Sequence, residues 1–272
     1  MYDEYFERNN AHQGQPKMKL DPVPRVVLVP GVGLFGVGRT AKEARIAADI
    51  AESTIETVTD AEAIGRFESA SEADLFEMEY WSLEQAKLGQ TPDKLLAGQV
   101  ALVTGGGSGI GAATAAAFGQ MGAEIAVLDI DESAATASAH TVGGSAIAVT
   151  CDVTNGESVR AAFDTVCKTF GGVDIVVSNA GAAWQGRIGD VSDDVLRKSF
   201  ELNFFAHQSI AQNAIRVMRS QGTGGALLFN VSKQAVNPGA DFGPYGLPKA
   251  ATLALSRQYA LDHGREGIRV NA

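Results

Sequence analysis

From Gln99 to the end of the chain, short β-rich apolar runs alternate with longer stretches whose apolar residues recur at helical spacing. That alternation predicts a parallel sheet with crossover helices. Six strands are expected, at 99–104, 124–129, 146–151, 173–178, 225–231 and 267–271. The helices between them are expected at about 109–121, 132–139, 156–170, 193–219 and 245–263. The first hundred residues read differently. Residues 1–24 are polar and hold Pro16, Pro22 and Pro24, which suggests a loop or frayed end. A strand is expected at Arg25-Val-Val-Leu-Val29, then a turn from Gly31 to Gly38. Thr40 can cap a helix over about 41–58, with Ala44, Ile46, Ile50 and Ile55 on its apolar face. Ser71 followed by Asp74 signals a second cap, for a helix through about Lys87 carrying Leu75, Met78, Trp81 and Leu83. Gly89 to Gly98, with Pro92, reads as a linker, so the domains are expected at 1–97 and 98–272.

Composition narrows the functional classes. A net charge of −10 argues against nucleic acid and anionic membranes as partners. Cys151 and Cys167 have neither paired spacing nor a histidine beside them, so neither a disulfide framework nor a zinc site is expected. The start lacks a basic region followed by an apolar one, and no run of about 18 apolar residues occurs, which predicts a cytoplasmic protein. His12, His140, His207 and His263 are scattered, match no metal pattern and are expected to take no direct part in chemistry.

Two glycine loops compete for a dinucleotide. Gly31-Val-Gly33-Leu-Phe-Gly36 matches the fingerprint literally, but the stretch that follows, through Glu52 and Glu56, continues as helix. A second strand ending in an acidic residue is therefore lacking, and a tight strand-to-helix connection is the better reading. The second loop, Thr104-Gly105-Gly106-Gly107-Ser108-Gly109-Ile110-Gly111, follows an apolar strand and opens an alanine-rich helix. Gly105, Gly109 and Gly111 would let the backbone approach a pyrophosphate drawn to the helix N-terminus. The next strand ends in Asp129, 18 positions beyond Gly111, where a carboxylate would accept the ribose hydroxyls and repel a 2′-phosphate. With no Arg or Lys in the loop, NAD is expected rather than NADP. Asp152, with Val153 beside it, and Asn179-Ala180-Gly181 follow later strands, so both segments would line the same groove, near the adenine and the ribose respectively.

Tyr245 and Lys249, four residues apart in Tyr-Gly-Leu-Pro-Lys, share one helix face. A free phenol keeps its proton to a pH of about 10. A nearby ammonium and an oxidised nicotinamide both stabilise a phenolate, which suits it to proton transfer. Pro248 fits if it lies in the first helical turn. Lys233, after Ser232, reads as a solvated charge at the pocket's edge.

With these residues, and with Asn203 and Ser232, residues 98–272 resemble the classical short-chain dehydrogenase/reductase family. The resemblance implies a Rossmann-like doubly wound parallel α/β sheet. It also implies that Tyr245 is the general acid/base, Ser232 holds the substrate oxygen, Lys249 binds the nicotinamide ribose and Asn203 positions a water. Pro30-Gly-Val-Gly-Leu-Phe-Gly36 and Met78-Glu-Tyr-Trp-Ser-Leu-Glu-Gln-Ala-Lys87 resemble the end of a class II aldolase/adducin-type domain, a small α+β remnant. The combination is similar to the bifunctional rhamnulose-1-phosphate aldolase/lactaldehyde dehydrogenase family of rhamnose catabolism, which implies a small hydroxy-aldehyde substrate. Residues 1–97 hold only His12, so that family's zinc site cannot be carried over. The family continues beyond Ile268-Arg-Val-Asn-Ala272 into a nicotinamide loop, a lid and a further edge strand, so the reading includes a missing C-terminal edge strand. The alternative reading is a nucleotide-binding module with weak or no turnover. A homo-oligomer joined through helices 193–219 and 245–263 is also expected.

Overall fold

The computed structural model describes residues 1–86 and 94–272, and the chain divides into two compact units, Met1–Lys94 and Leu95–Ala272. The first unit opens with helix α1 (Tyr2–Asn10) and continues with strands β1 (Val26–Val29) and β2 (Gly33–Gly36). Helices α2 (Ala41–Ile64), α3 (Glu72–Glu79) and α4 (Ser82–Gln85) follow. Thr40 accepts from the Glu43 amide and Ser71 from the Asp74 amide, so the two caps form where their spacing predicts them.

Four expectations fail in this unit. The polar start is helical rather than frayed, because its aromatic residues find distant partners. Phe6 lies 5.2 Å from the buried Tyr80 ring and the Tyr2 hydroxyl is 2.6 Å from that of Tyr80. Arg8 holds Glu72 with two hydrogen bonds of 2.8 and 2.9 Å. The expected turn at 31–38 contains β2, which pairs antiparallel with β1, so the first glycine loop is a hairpin rather than a strand-to-helix connection. Helix α2 runs six residues past 58, to Ile64. The helix expected through Lys87 breaks at Tyr80 and Trp81, and Lys87 itself lies outside the described residues. Of the expected linker, residues 89–93 also lie outside them, and 95–98 form a turn.

The second unit alternates strand and helix: β3 (Val100–Thr104), α5 (Gly109–Gln120), β4 (Glu124–Asp129), α6 (Glu132–Val142), β5 (Ile147–Thr150), α7 (Gly156–Phe170) and β6 (Ile175–Ser178). Next come α8 (Asp193–Phe200), a π-helical turn (Glu201–Phe205), α9 (Ala206–Gln221), β7 (Gly225–Phe229), α10 (Gly243–His263) and β8 (Ile268–Asn271). The six strands form one parallel sheet in the order β5-β4-β3-β6-β7-β8. The chain builds outward from β3 to β5, then returns to extend the other side from β6. Ligands of such doubly wound sheets bind beyond the carboxyl ends of the strands where the winding reverses, here β3 and β6.

Both sheet faces are covered, which explains why the strands read as continuous apolar runs. Leu102, Leu128, Val176 and Leu227 face Phe163 and Val166 of α7 and Ile210, Ala211 and Ala214 of α9. Alternate residues Ala101, Val103, Ile125 and Val127 face Ala115 of α5 and Ala135 and Ala139 of α6. The helix expected at 193–219 is three pieces, because one extra residue is accommodated in the π turn around Asn203. Pro248 falls in the second turn of α10, since that helix begins at Gly243 with Pro244 in its opening positions.

Candidate active site

Thr104, the last residue of β3, is buried and its hydroxyl accepts from the amides of Asn179 and Ala180 at 2.9 and 3.0 Å. The Asn179 side-chain amide donates back to Thr104 O at 2.9 Å and Gly105 O at 3.2 Å. The two strand ends at the switch point are thereby tied together. Gly105 has φ +60, and a Cβ there would meet Ala180 Cα at 2.9 Å. A Cβ on Gly111 would overlap the Gly105 carbonyl, so Gly111 serves the packing of α5 onto its own loop.

At the start of α5, Ser108 makes no side-chain capping bond. The first amides of that helix, from Gly109, Ile110 and Gly111, thus keep the anion-attracting capacity of a helix N-terminus. Gly109 has φ +51 and open space where a Cβ would stand. The loop borders a groove of about 630 Å³, a size suited to a small-molecule or cofactor site. Gly105, Ser108, Gly109, Ile110, Asp129, Asp152, Val153, Asn179, Ala180, Gly181, Tyr245 and Lys249 all line it. Gly111, Asn203 and Ser232 are not among its lining residues.

Asp129 Oδ2 accepts from the Gly107 amide at 2.9 Å and Oδ1 from the Asp131 amide at 3.1 Å, which holds the carboxylate at the groove edge. Asp152 Oδ1 accepts from the amide and hydroxyl of Thr154 at 2.9 and 2.7 Å. These bonds leave lone pairs on both carboxylates for a ligand.

The other end of the groove is built from buried polar groups. Lys249 is 2% exposed, and its Nζ lies 5.9 Å from the centroid of the Tyr245 ring. It donates to Asn230 O at 2.7 Å, and His207 Nε2 lies 3.2 Å away. Burial pulls the ammonium's pKa down to about 8. Asn203, fully buried in the π turn, donates through Nδ2 to Ala182 O at 2.8 Å and to Ser199 Oγ at 3.1 Å. Its Oδ1 is buried with no hydrogen-bond partner among the described residues. A Cβ on Gly181 would stand 2.8 Å from that oxygen and 3.4 Å from Lys249 Nζ, so both groups face the space beside Gly181. Thr252 Oγ1 donates to Asn203 O at 2.6 Å, joining α10 to the π turn. Ser232 Oγ accepts from the Gln234 amide at 3.2 Å, which leaves its own O–H to donate elsewhere.

Asn230 and Ser178 are absent from the sequence reading, and His207 enters it only as a scattered histidine with no direct part in chemistry. Asn230 links the parts, since its side chain donates to Asn179 Oδ1 at 2.7 Å while its carbonyl accepts from Lys249. His207 and Ser178 lie behind Lys249. A histidine within the apolar stripe of α9 is the signal that could have marked this region, because a buried polar group needs partners.

The short chain dehydrogenase family matches residues 99–272, and "aldolase class II, second domain" matches residues 1–88. "Uncharacterized oxidoreductase YuxG" of Bacillus subtilis is 33% identical over an alignment covering 100% of this chain, which spans 40% of that protein's length. The 7alpha-hydroxysteroid dehydrogenase of Escherichia coli is 36% identical, covering 65% of this chain and 69% of that protein. A short-chain type dehydrogenase/reductase structure from Mycobacterium marinum superposes with TM-score 0.63 at 32% identity, covering 65% of this chain and 73% of the other. A 3-ketoacyl-(acyl-carrier-protein) reductase from Brucella melitensis, complexed with NADH, gives 0.62 at 28% identity, covering 64% and 73%. Since the match takes in every strand of the parallel sheet, the chain belongs to the short chain dehydrogenase family, whose members are oxidoreductases using nicotinamide cofactors.

Proposed function

We propose that this chain is an NAD-dependent oxidoreductase acting on a small hydroxy-aldehyde or alcohol, with L-lactaldehyde the favoured substrate. The observation that carries the reading is the juxtaposition of Lys249 with Tyr245 at the end of a groove that begins at an uncapped helix N-terminus. The groove fits the cofactor. The start of α5 suits a pyrophosphate, Asp129 suits the adenosine ribose, and the unpartnered Asn203 Oδ1 invites a donor. Among the described residues lining the groove Lys249 is the only cation, and it lies on α10 rather than beside Asp129. That arrangement favours NAD over NADP, and the NADH bound by the Brucella melitensis reductase agrees with it. The substrate is suggested by the class II aldolase match in the same chain as the dehydrogenase match.

When bound, the nicotinamide supplies the hydride acceptor. The Lys249 ammonium stabilises Tyr245 as a phenolate, which receives the proton of the substrate hydroxyl and becomes the neutral phenol. Ser232 donates its O–H to the same substrate oxygen. Lys249 directs an N–H toward the cofactor ribose, and Asn203 holds a water for proton exchange. Oxidation of an aldehyde to an acid proceeds from its hydrate, whose carbon carries both the hydrogen to be transferred and a hydroxyl proton. The chain assembles as a homo-oligomer through α8, α9 and α10, which sedimentation velocity checks.

Fluorescence titration with NADH and NADPH, followed by L-lactaldehyde oxidation, tests this reading. NADH should bind at least about tenfold more tightly than NADPH, and Asp129→Ala should narrow the gap. Tyr245→Phe should retain NADH binding while turnover falls by about 100-fold or more. Preference for NADPH, or turnover unchanged in Tyr245→Phe, would overturn it.

A further inference from the structure

Behind the groove, the imidazole of His207 occupies a position to which the proposed chemistry assigns nothing. It lies on α9 just beyond the π turn that carries Asn203, and it is 1% exposed. Its Nδ1 is 2.6 Å from Ser178 Oγ, a hydroxyl at the end of β6 that is 1% exposed, and its Nε2 is 3.2 Å from Lys249 Nζ. The Phe229 ring, 6.0 Å from the imidazole, supplies an apolar neighbour. An ammonium has three N–H donors. Here one goes to Asn230 O and a second faces His207 Nε2, which leaves the third for the groove that Lys249 lines.

The bonding fixes the ring's state. Burial first, and the adjacent Lys249 second, push the His207 pKa down to about 3, so the imidazole is neutral. A neutral imidazole accepts at one nitrogen only. To accept from Lys249 at Nε2 it must carry its proton on Nδ1 and donate that proton to Ser178 Oγ. A hydrogen bond at one ring nitrogen thereby selects what the other can do.

We propose that His207 is a positioning residue for hydride transfer: with Ser178 fixing its tautomer, its Nε2 lone pair holds Lys249 as an ammonium and aims the remaining N–H into the groove. This rests on the reading of Lys249 as the group beside Tyr245 and the cofactor ribose. The titratable and polar groups facing Lys249 are Tyr245 from its own helix, His207 from α9, the Asn230 carbonyl from beyond β7 and Asn203 from the π turn, across the space beside Gly181. Burial, rather than a neighbouring charge, lowers its pKa. A buried ammonium with no carboxylate acting on it depends on its neutral acceptors.

The test is an NMR titration of the full chain labelled with carbon-13 lysine, the Lys249 resonance being assigned by its loss in Lys249→Arg. The wild-type midpoint is expected near 8. His207→Leu fills the space without an acceptor and should lower the midpoint by about one pH unit or more, the scale of one charge-assisted hydrogen bond. His207→Gln, whose amide oxygen can reach the Nε2 position, should restore it to within a few tenths of a unit. Nitrogen-15 spectra of the wild-type ring should show the neutral Nδ1–H tautomer, a readout that stands even if His207→Leu fails to fold. An Nε2–H tautomer, an unmoved midpoint in His207→Leu, or a His207→Gln variant that behaves like His207→Leu would overturn the proposal. Failure of the wild-type chain to bind NADH overturns the proposed function instead and leaves the Lys249 midpoint to be judged on its own.

Discussion

Two glycine loops in this chain satisfy similar spacings and do opposite things. In the first, Pro30 and Gly31, with φ +76 at the glycine, bring the chain round so that the Val32 amide reaches Val29 O at 3.0 Å. Proline followed by a left-handed glycine is the chemistry of a reversing turn, and β2 then runs antiparallel to β1. In the second, the chain leaves β3 and enters α5 directly, with β4 parallel to β3. The second loop ends in a helix N-terminus beside a groove. Glycine spacing permits close approach of backbones; the helix end supplies the affinity for an anion.

Gly111 and Gly36 make a matched pair for testing this difference. A Cβ on Gly111 would overlap Gly105 O, and one on Gly36 would overlap Ala44 O of α2. Gly111→Ala should therefore weaken NADH binding on the order of 100-fold, by displacing the loop from its productive geometry. Gly36→Ala should leave the NADH titration within about twofold of wild type and raise amide exchange only within the first unit. Equal loss of NADH affinity in both variants would break the comparison.

Acid should separate the two units next. The folded pKa of His207, about 3, lies below the ordinary histidine value, so between these limits the unfolded chain binds more protons. The stability tied to this histidine is present above about pH 6.5 and falls as pH drops, by about 2 kcal/mol at pH 5. In the first unit the Arg8 guanidinium, and then Asn9, hold the exposed Glu72 down to about 2. That contribution begins to fall only as pH drops through the ordinary carboxylate range. Hydrogen exchange at pH 5 and 7 should thus show the dehydrogenase unit loosening first, and His207→Leu should flatten its dependence.

Gly31→Ala should have the smallest effect. Its Cβ would enter open space, so only the positive φ opposes it. The cost is about 1 kcal/mol, visible as faster exchange in the hairpin with no change in the NADH titration.

The sheet was readable because parallel strands buried on both faces become apolar runs, ended by Thr104, Asp129 and Ser178 where ligand loops begin. The groove residues stand at these strand ends, so motif order placed them. The first unit was less readable because few residues decide it: Phe76 and Tyr80 are its large buried side chains among the described residues, and α1 is anchored to them from more than 60 positions away. Four residues flanked by glycines conceal β2 inside a turn signal. The π turn leaves no mark in a continuous helical pattern. Nor could spacing reveal that His207 reaches Lys249 and Ser178, since that contact needs three elements brought together in space.

The π turn also divides α8 and α9 into two rods of different phase. Removing one residue from Glu201–Phe205 would let the ordinary helical repeat run through, and about 100° of rotation would pass to everything after it. Ile210 and Ala211 would swing off the sheet, His207 would leave Lys249, and a chain with its remaining residues in order would present the wrong face to its own core. That turn works as an angular offset: it lets one helix face serve the sheet and another the site.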